Sequence, residues 1–119
     1  MSDLNTTIDT HLQAYAEPDD VRRAAMVGDV WATDGALVDP PFAGAGHDEI
    51  AGMGAMLLQQ FPGHTFRRTS AVDAHHQFAR YGWDLIAPDG SVVLQGTDVV
   101  EIDDAGKLKA IVGFFGPLA

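Results

Sequence analysis

Two tight-turn signals, Pro88-Asp89-Gly90 and Asp104-Ala105-Gly106, cut the end of the chain into extended runs that have to pair with one another. The runs are Gln77 to Ile86, Val92 to Ile102 and Leu108 to Phe115, with an earlier one from His64 to about Asp73. Turns this short join neighbouring strands in antiparallel order, so this half reads as a meander. One face of such a sheet has to be covered.

The amino-terminal half supplies the cover. Leu4, Ile8, Leu12 and Tyr15 recur at helical spacing over about Ser2 to Ala16, and His11 lies on or beside that stripe. Glu17-Pro18-Asp19-Asp20 breaks and restarts the chain, with acids where a helix amino terminus favours them. A second helix is expected from about Pro18 to Ala32, turning Val21, Ala24, Ala25, Val30 and Trp31 inward, and Thr33-Asp34-Gly35 is expected to close it as a turn. Ala36 to Asp39 is a short extended piece stopped by Pro40-Pro41. Residues 42–46 read as a loop, and His47-Asp48-Glu49 opens a third helix with Ile50, Met53, Leu57 and Phe61 on one face. The order predicts an α+β fold, a curved antiparallel sheet wrapped around the helices to make a cone with an internal pocket. At 119 residues the whole chain, 1–119, is expected to form one domain.

Alternation sorts the strand residues between faces. Tyr81, Trp83 and Leu85 fall together and are placed inward, leaving Arg80 and Asp84 outside. Asp98, Val100 and Ile102 share a face opposite Glu101; Ile111, Gly113 and Phe115 share one with Lys109 at its outer end. Gly82, Gly96 and Gly113 would let the sheet bend or a ligand come close. Asp98 is the anomaly. An ionised carboxylate among residues of buried type is costly unless paired, hydrogen-bonded or protonated, so the fold either satisfies Asp98 or uses it.

Composition narrows the function classes. The net charge of −10 repels polyphosphate backbones and argues against a nucleic-acid partner. Without cysteine the chain has no disulfide and no thiolate ligand, and no His-x-His or His-x₃-His spacing appears, so no metal is expected. No apolar run approaches the roughly 20 residues of a membrane span. The first residues lack the basic-then-apolar order of a secretory signal, and a cytoplasmic location is expected. His75-His76 and Arg67-Arg68 read as surface or interface pairs.

Val38-Asp39-Pro40-Pro41, the Gly46-His47-Asp48-Glu49-Ile50 helix start and the run Thr97 to Leu108 together resemble the SnoaL-like branch of the nuclear transport factor 2-like superfamily, over roughly residues 4 to 116. That superfamily holds polyketide cyclases, ketosteroid isomerases, epoxide hydrolases, dehydratases and non-catalytic binders, so fold alone does not name an activity. The resemblance implies three chemistry-bearing residues. Asp39, before a proline, is similar to the isomerase general base. Asp98 is similar to the isomerase acid that donates to the substrate oxyanion and to the acid/base Asp of SnoaL-type cyclases. His11 falls where isomerases place an oxyanion-hole tyrosine. Ketosteroid isomerase is itself a worked example of an aspartic acid kept neutral by an apolar site.

The reading carried forward is a cofactor-free isomerase or cyclase moving protons on a small hydrophobic carbonyl compound, with Asp98, Asp39 and His11 as its catalytic set. Tyr15, Trp31, Phe42, Met53 and Leu57 are expected to contact substrate from the helices and loop. Tyr81, Trp83, Val100, Ile111 and Phe115 are expected to do so from the sheet. The alternative is a non-catalytic hydrophobic-ligand or dimerisation module, with epoxide hydrolysis ranked lower because Arg80 points outward. The resemblance also implies a homodimer through the outer sheet face.

Overall fold

The computed structural model describes residues 3–116, so position 2 of the expected first helix lies outside it. Helix α1 (Leu4–Ala14) starts where the Asp3 carboxylate accepts the Asn5 N–H at 3.0 Å, satisfying a donor that the first turn leaves free. Helix α2 (Asp20–Val30) is capped in the same way, with Asp19 accepting from the Val21 and Arg22 N–H groups at 2.8 and 3.2 Å.

Strand β1 (Trp31–Val38) takes up residues expected to be helix and turn. Trp31 is already extended, and the register against its neighbour jumps between Trp31 and Ala36. This bulge lets the polar Thr33-Asp34-Gly35 segment bow out of the ladder, so turn-type residues sit within a strand. Strand β2 (Ala43–Ala45), expected as loop, pairs antiparallel with β1, and α3 (His47–Gln60) follows. The strand expected from His64 to Asp73 is two strands, β3 (Thr65–Arg68) and β4 (Asp73–His75), both paired to β5 (Phe78–Ile86). Between them Ser70 Oγ accepts the Gly82 N–H at 3.0 Å, a side chain standing in for the ladder. Strands β6 (Val92–Ile102) and β7 (Leu108–Phe115) complete the fold.

The sheet runs β2-β1-β7-β6-β5-β3, with β4 also on β5. Strands β5, β6 and β7 form the expected meander. The early strand β1 lies beside β7 in parallel, which departs from a purely antiparallel sheet. Its placement follows from chain order, because β1 arrives through α2 rather than through a hairpin. One consequence matters for the site: Val38 pairs with Val112, so Asp39 stands next to Gly113.

The helices cover the concave face. Ile8, Trp31, Tyr81, Val100, Leu108 and Ile111 are essentially sealed there, each contributing about 1.5–3 kcal/mol of apolar burial. In β6 Gly96, Asp98 and Val100 are buried while Thr97 and Val99 are exposed, as alternation requires. Two outer-face positions differ from expectation. A register irregularity between Glu101 and Ile102 shifts the parity of β7, so Leu108 is buried while Lys109 faces out, 3.7 Å from Glu101. Asp84 is buried rather than open, because Arg67 directly opposite it reaches over at 3.1 Å. No helix among the described residues is long and apolar enough to cross a membrane.

Candidate active site

Strand β6 puts Asp98 on the concave face, and β5 supplies its partners. Tyr81, its register neighbour, donates its hydroxyl to Oδ2 at 2.6 Å, and Trp83 donates Nε1–H to Oδ1 at 3.0 Å. The Trp83 indole lies across Gly96, where a Cβ would stand 2.1 Å from a ring carbon. Only glycine at 96 leaves room for the ring that reaches Asp98. The carboxyl is 6% exposed, and burial pushes its pKa up to about 6. The Tyr81 and Trp83 hydrogen bonds oppose that rise, and the Asp39 charge adds to it.

Asp39 ends β1 and shapes the Pro40-Pro41 turn. Its Oδ1 accepts the Phe42 N–H at 3.0 Å, and its backbone exchanges hydrogen bonds with Phe42 at 2.9 and 3.2 Å. It is half-buried; burial raises its pKa and the Phe42 N–H opposes the rise. Between the two acids lies Gly113, where a Cβ would come within 3.1 Å of both Asp39 Cβ and Asp98 Oδ1. The two carboxylates therefore converge across a residue that contributes no side chain.

They face a cavity of about 260 Å³. Of the residues expected to contact substrate, Tyr15, Phe42, Leu57, Trp83, Ile111 and Phe115 line it beside Asp98 and Asp39. Tyr15 lies among them with no hydrogen-bond partner for its hydroxyl among the described residues. Burial first, then the Asp98 and Asp39 charges, hold its pKa well above the usual tyrosine range. The hydroxyl is thus a neutral donor without an acceptor.

His11, Trp31, Met53, Tyr81 and Val100 are not on that lining. His11 is 2% exposed in the helical layer, where its Nδ1 accepts the Trp31 Nε1–H at 3.3 Å and its Nε2 has no partner among the described residues. Burial pulls its pKa down to about 3, so it is neutral at ordinary pH. The tyrosine one helical turn further on, Tyr15, faces the cavity instead, and its ring meets that of His11 edge-on at 5.0 Å. Tyr81 acts from behind, through Asp98. Lining residues that sequence reasoning left out include Leu37, Gln60, Phe61, Phe66, Leu94 and Gly113. Phe61 lay on the expected α3 face and Gly113 on the expected inner face of β7, so both carried a signal; Phe66 needed the β3–β5 register to be placed.

Among the described residues, no lysine, arginine or histidine lines the cavity. Arg80 is exposed and bound to Asp73, which leaves the epoxide-hydrolase arrangement without its arginine. Arg68 is held by Asp9 at 2.9 and 3.2 Å. His75 and His76 are exposed and contact each other, and no cluster among the described residues has the makings of a metal site.

No family model matches the chain, and no curated protein does. Solved structures do. A protein from Agrobacterium tumefaciens strain C58, described provisionally as an isomerase of the SnoaL-like family, is 39% identical with a TM-score of 0.90, over 98% of this chain and 100% of that one. A nuclear transport factor 2-like protein from Exiguobacterium sp. 255-15 is 15% identical with a TM-score of 0.73, covering 94% and 99%. A provisional polyketide cyclase from Sinorhizobium meliloti is 13% identical with a TM-score of 0.71, covering 91% and 93%. The last two establish the fold. The first shows the family: the chain belongs to the SnoaL-like family.

Proposed function

We propose that this protein is a cofactor-free isomerase or cyclase that moves a proton on a small hydrophobic carbonyl compound, with Asp98 as acid/base. The observation that carries the reading is a buried carboxylate, open to an apolar cavity, whose pKa sits near 6 and whose position is fixed by two donors. A base is most effective when its pKa lies near the working pH, and burial has moved Asp98 there from the usual carboxylate range.

Ionised Asp98 removes a proton from the carbon beside the carbonyl; the C–H electrons move to form an enolate, and the negative charge develops on oxygen. The unpartnered Tyr15 hydroxyl donates to that oxygen. Protonated Asp98 then returns the proton to another carbon. In a ring closure the enolate carbon instead attacks a second carbonyl of the same molecule, that carbonyl's π electrons move to its oxygen, and protonated Asp98 gives its proton to the alkoxide. Tyr81 and Trp83 keep the carboxylate aimed throughout.

The test is exchange of the α-proton of a panel of cyclic ketones with deuterated solvent, followed by proton NMR. Exchange by the unmodified protein that disappears in Asp98→Asn, with the fold intact by near-UV circular dichroism, supports the reading. Equal exchange in the variant removes Asp98 from the reaction, and ligand binding without any exchange turns the protein into a binding module. The likeness to the family also supports a second copy of the chain as partner on the outer sheet face, where Val38, Val99, Val112 and Phe114 are 47, 41, 41 and 54% exposed. Sedimentation equilibrium checks it, with a monomer at micromolar concentration as the contrary result.

A further inference from the structure

The proton-transfer scheme leaves Asp39 without a task, and the surroundings of Asp39 suggest one. One of its oxygens is held by the Phe42 N–H; the other, Oδ2, accepts no hydrogen bond among the described residues. Asp39 and Asp98 form two carboxyl groups on one cavity wall, and among the described residues no basic side chain lines that cavity to balance them. Two carboxyl groups facing one apolar space, with one half-buried and an oxygen of it unengaged, favour a guest that brings a positive charge or a proton. The remaining wall is aromatic: Tyr15, Phe42, Phe61, Phe66, Trp83 and Phe115 present rings to the same space. The face of an aromatic ring attracts a cation within about 6 Å of its centre. Acid and aromatic wall thus ask for the same kind of guest, and the net charge of −10 draws cations toward the protein and repels anions.

We propose that the cavity selects a small organic cation, a protonated amine or quaternary ammonium group attached to an apolar ring, with Asp39 pairing the positive charge. This rests on the proposed reaction for its site and names the substrate class: an amino carbonyl compound, whose ammonium group sits at Asp39 while Asp98 works on the carbon beside the carbonyl. The positive charge also acidifies that carbon, which suits a carboxylate base of moderate strength.

The experiment uses three probes of one size, benzylamine, benzyl alcohol and benzoate, titrated calorimetrically into the unmodified protein near pH 8. Benzylamine is expected to bind at least about tenfold more tightly than benzyl alcohol, with benzoate weakest. In Asp39→Asn the preference for the amine should fall to within about twofold. Equal or tighter binding of the alcohol overturns the proposal, as does an amine preference that survives in Asp39→Asn. Failure of all three probes to bind at millimolar concentration overturns it too. The probe comparison on the unmodified protein stands even if the variant folds poorly. Its failure is distinguishable from failure of the reaction: Asp98-dependent deuterium exchange without amine preference removes only the cation, and amine preference without exchange removes only the catalysis.

Discussion

Asp98 and His11 are both sealed from bulk water, at 6% and 2% exposure, and burial moves them in opposite directions. The carboxyl is pushed up to about 6 and the imidazole pulled down to about 3, each toward its neutral form. What separates them is the space beside them. Asp98 opens on the cavity and is held by two donors from the neighbouring strand. His11, on α1, packs between the rings of Tyr15 and Trp31, off that lining, with one ring nitrogen engaged and the other unpartnered among the described residues. A titratable group needs access to a reactant as well as a tuned pKa. By that measure Asp98 is equipped for chemistry and His11 for packing.

The largest expected effect tests the first half of that contrast. Asp98→Asn should lower turnover by about 10²- to 10⁴-fold, the usual worth of general acid–base catalysis. Turnover kept within a few-fold would dissolve the distinction. Next in size is Gly113→Ala. Its new methyl group would enter the gap between the carboxylates, where only 3.1 Å is free on either side. Misplacing a reacting group by a fraction of an ångström to one ångström costs up to about 100-fold, so we expect a 10- to 100-fold loss in kcat/KM with the melting temperature little changed. A normal rate in Gly113→Ala would mean the two acids do not act on one ligand.

Stability provides a third test, with the sign fixed by the shift. Asp98 binds its proton more tightly folded than unfolded, so its contribution to stability falls as pH rises from about 4 to about 6 and is level above that. Asp98→Asn has no such titration. The variant should therefore gain on the unmodified protein by on the order of 3 kcal/mol between about pH 4 and about pH 7, read from urea midpoints at each pH. A constant difference across that range would mean the carboxyl is not paying a burial cost.

How much of this was legible in the sequence depends on the kind of information involved. Alternation placed Asp98, Tyr81, Trp83 and Gly113 on the inner face correctly, because side-chain direction in a strand follows from position alone. That Tyr81 and Trp83 converge on Asp98 required the β5–β6 register, which no local pattern encodes. The bulges in β1 and at Glu101–Ile102 were equally hidden, and the second of them turned Lys109 outward. On α1 the difficulty was angular. His11 and Tyr15 lie about one turn apart on the same stripe, and the tilt of the helix over the sheet decides which of them reaches the cavity.

His11→Gln tests the second half of the contrast and should have the smallest effect on turnover. Glutamine keeps an acceptor for the Trp31 Nε1–H, so that buried donor need not be left unsatisfied. We expect turnover within about twofold of the unmodified protein, because His11 is off the cavity lining and, of its two ring contacts, only Tyr15 is on it. The change should appear in acid tolerance. His11 resists protonation in the folded state, so the stability its neutral form provides is present above about pH 6.5 and lost as pH falls toward about 3. Glutamine does not titrate, so relative to their difference near pH 7 the variant should gain roughly 3 kcal/mol on the unmodified protein at about pH 4. A tenfold drop in turnover with the fold intact would instead show that His11 reaches the reaction through Tyr15, and the line between the working acid and the packing imidazole would have to be redrawn.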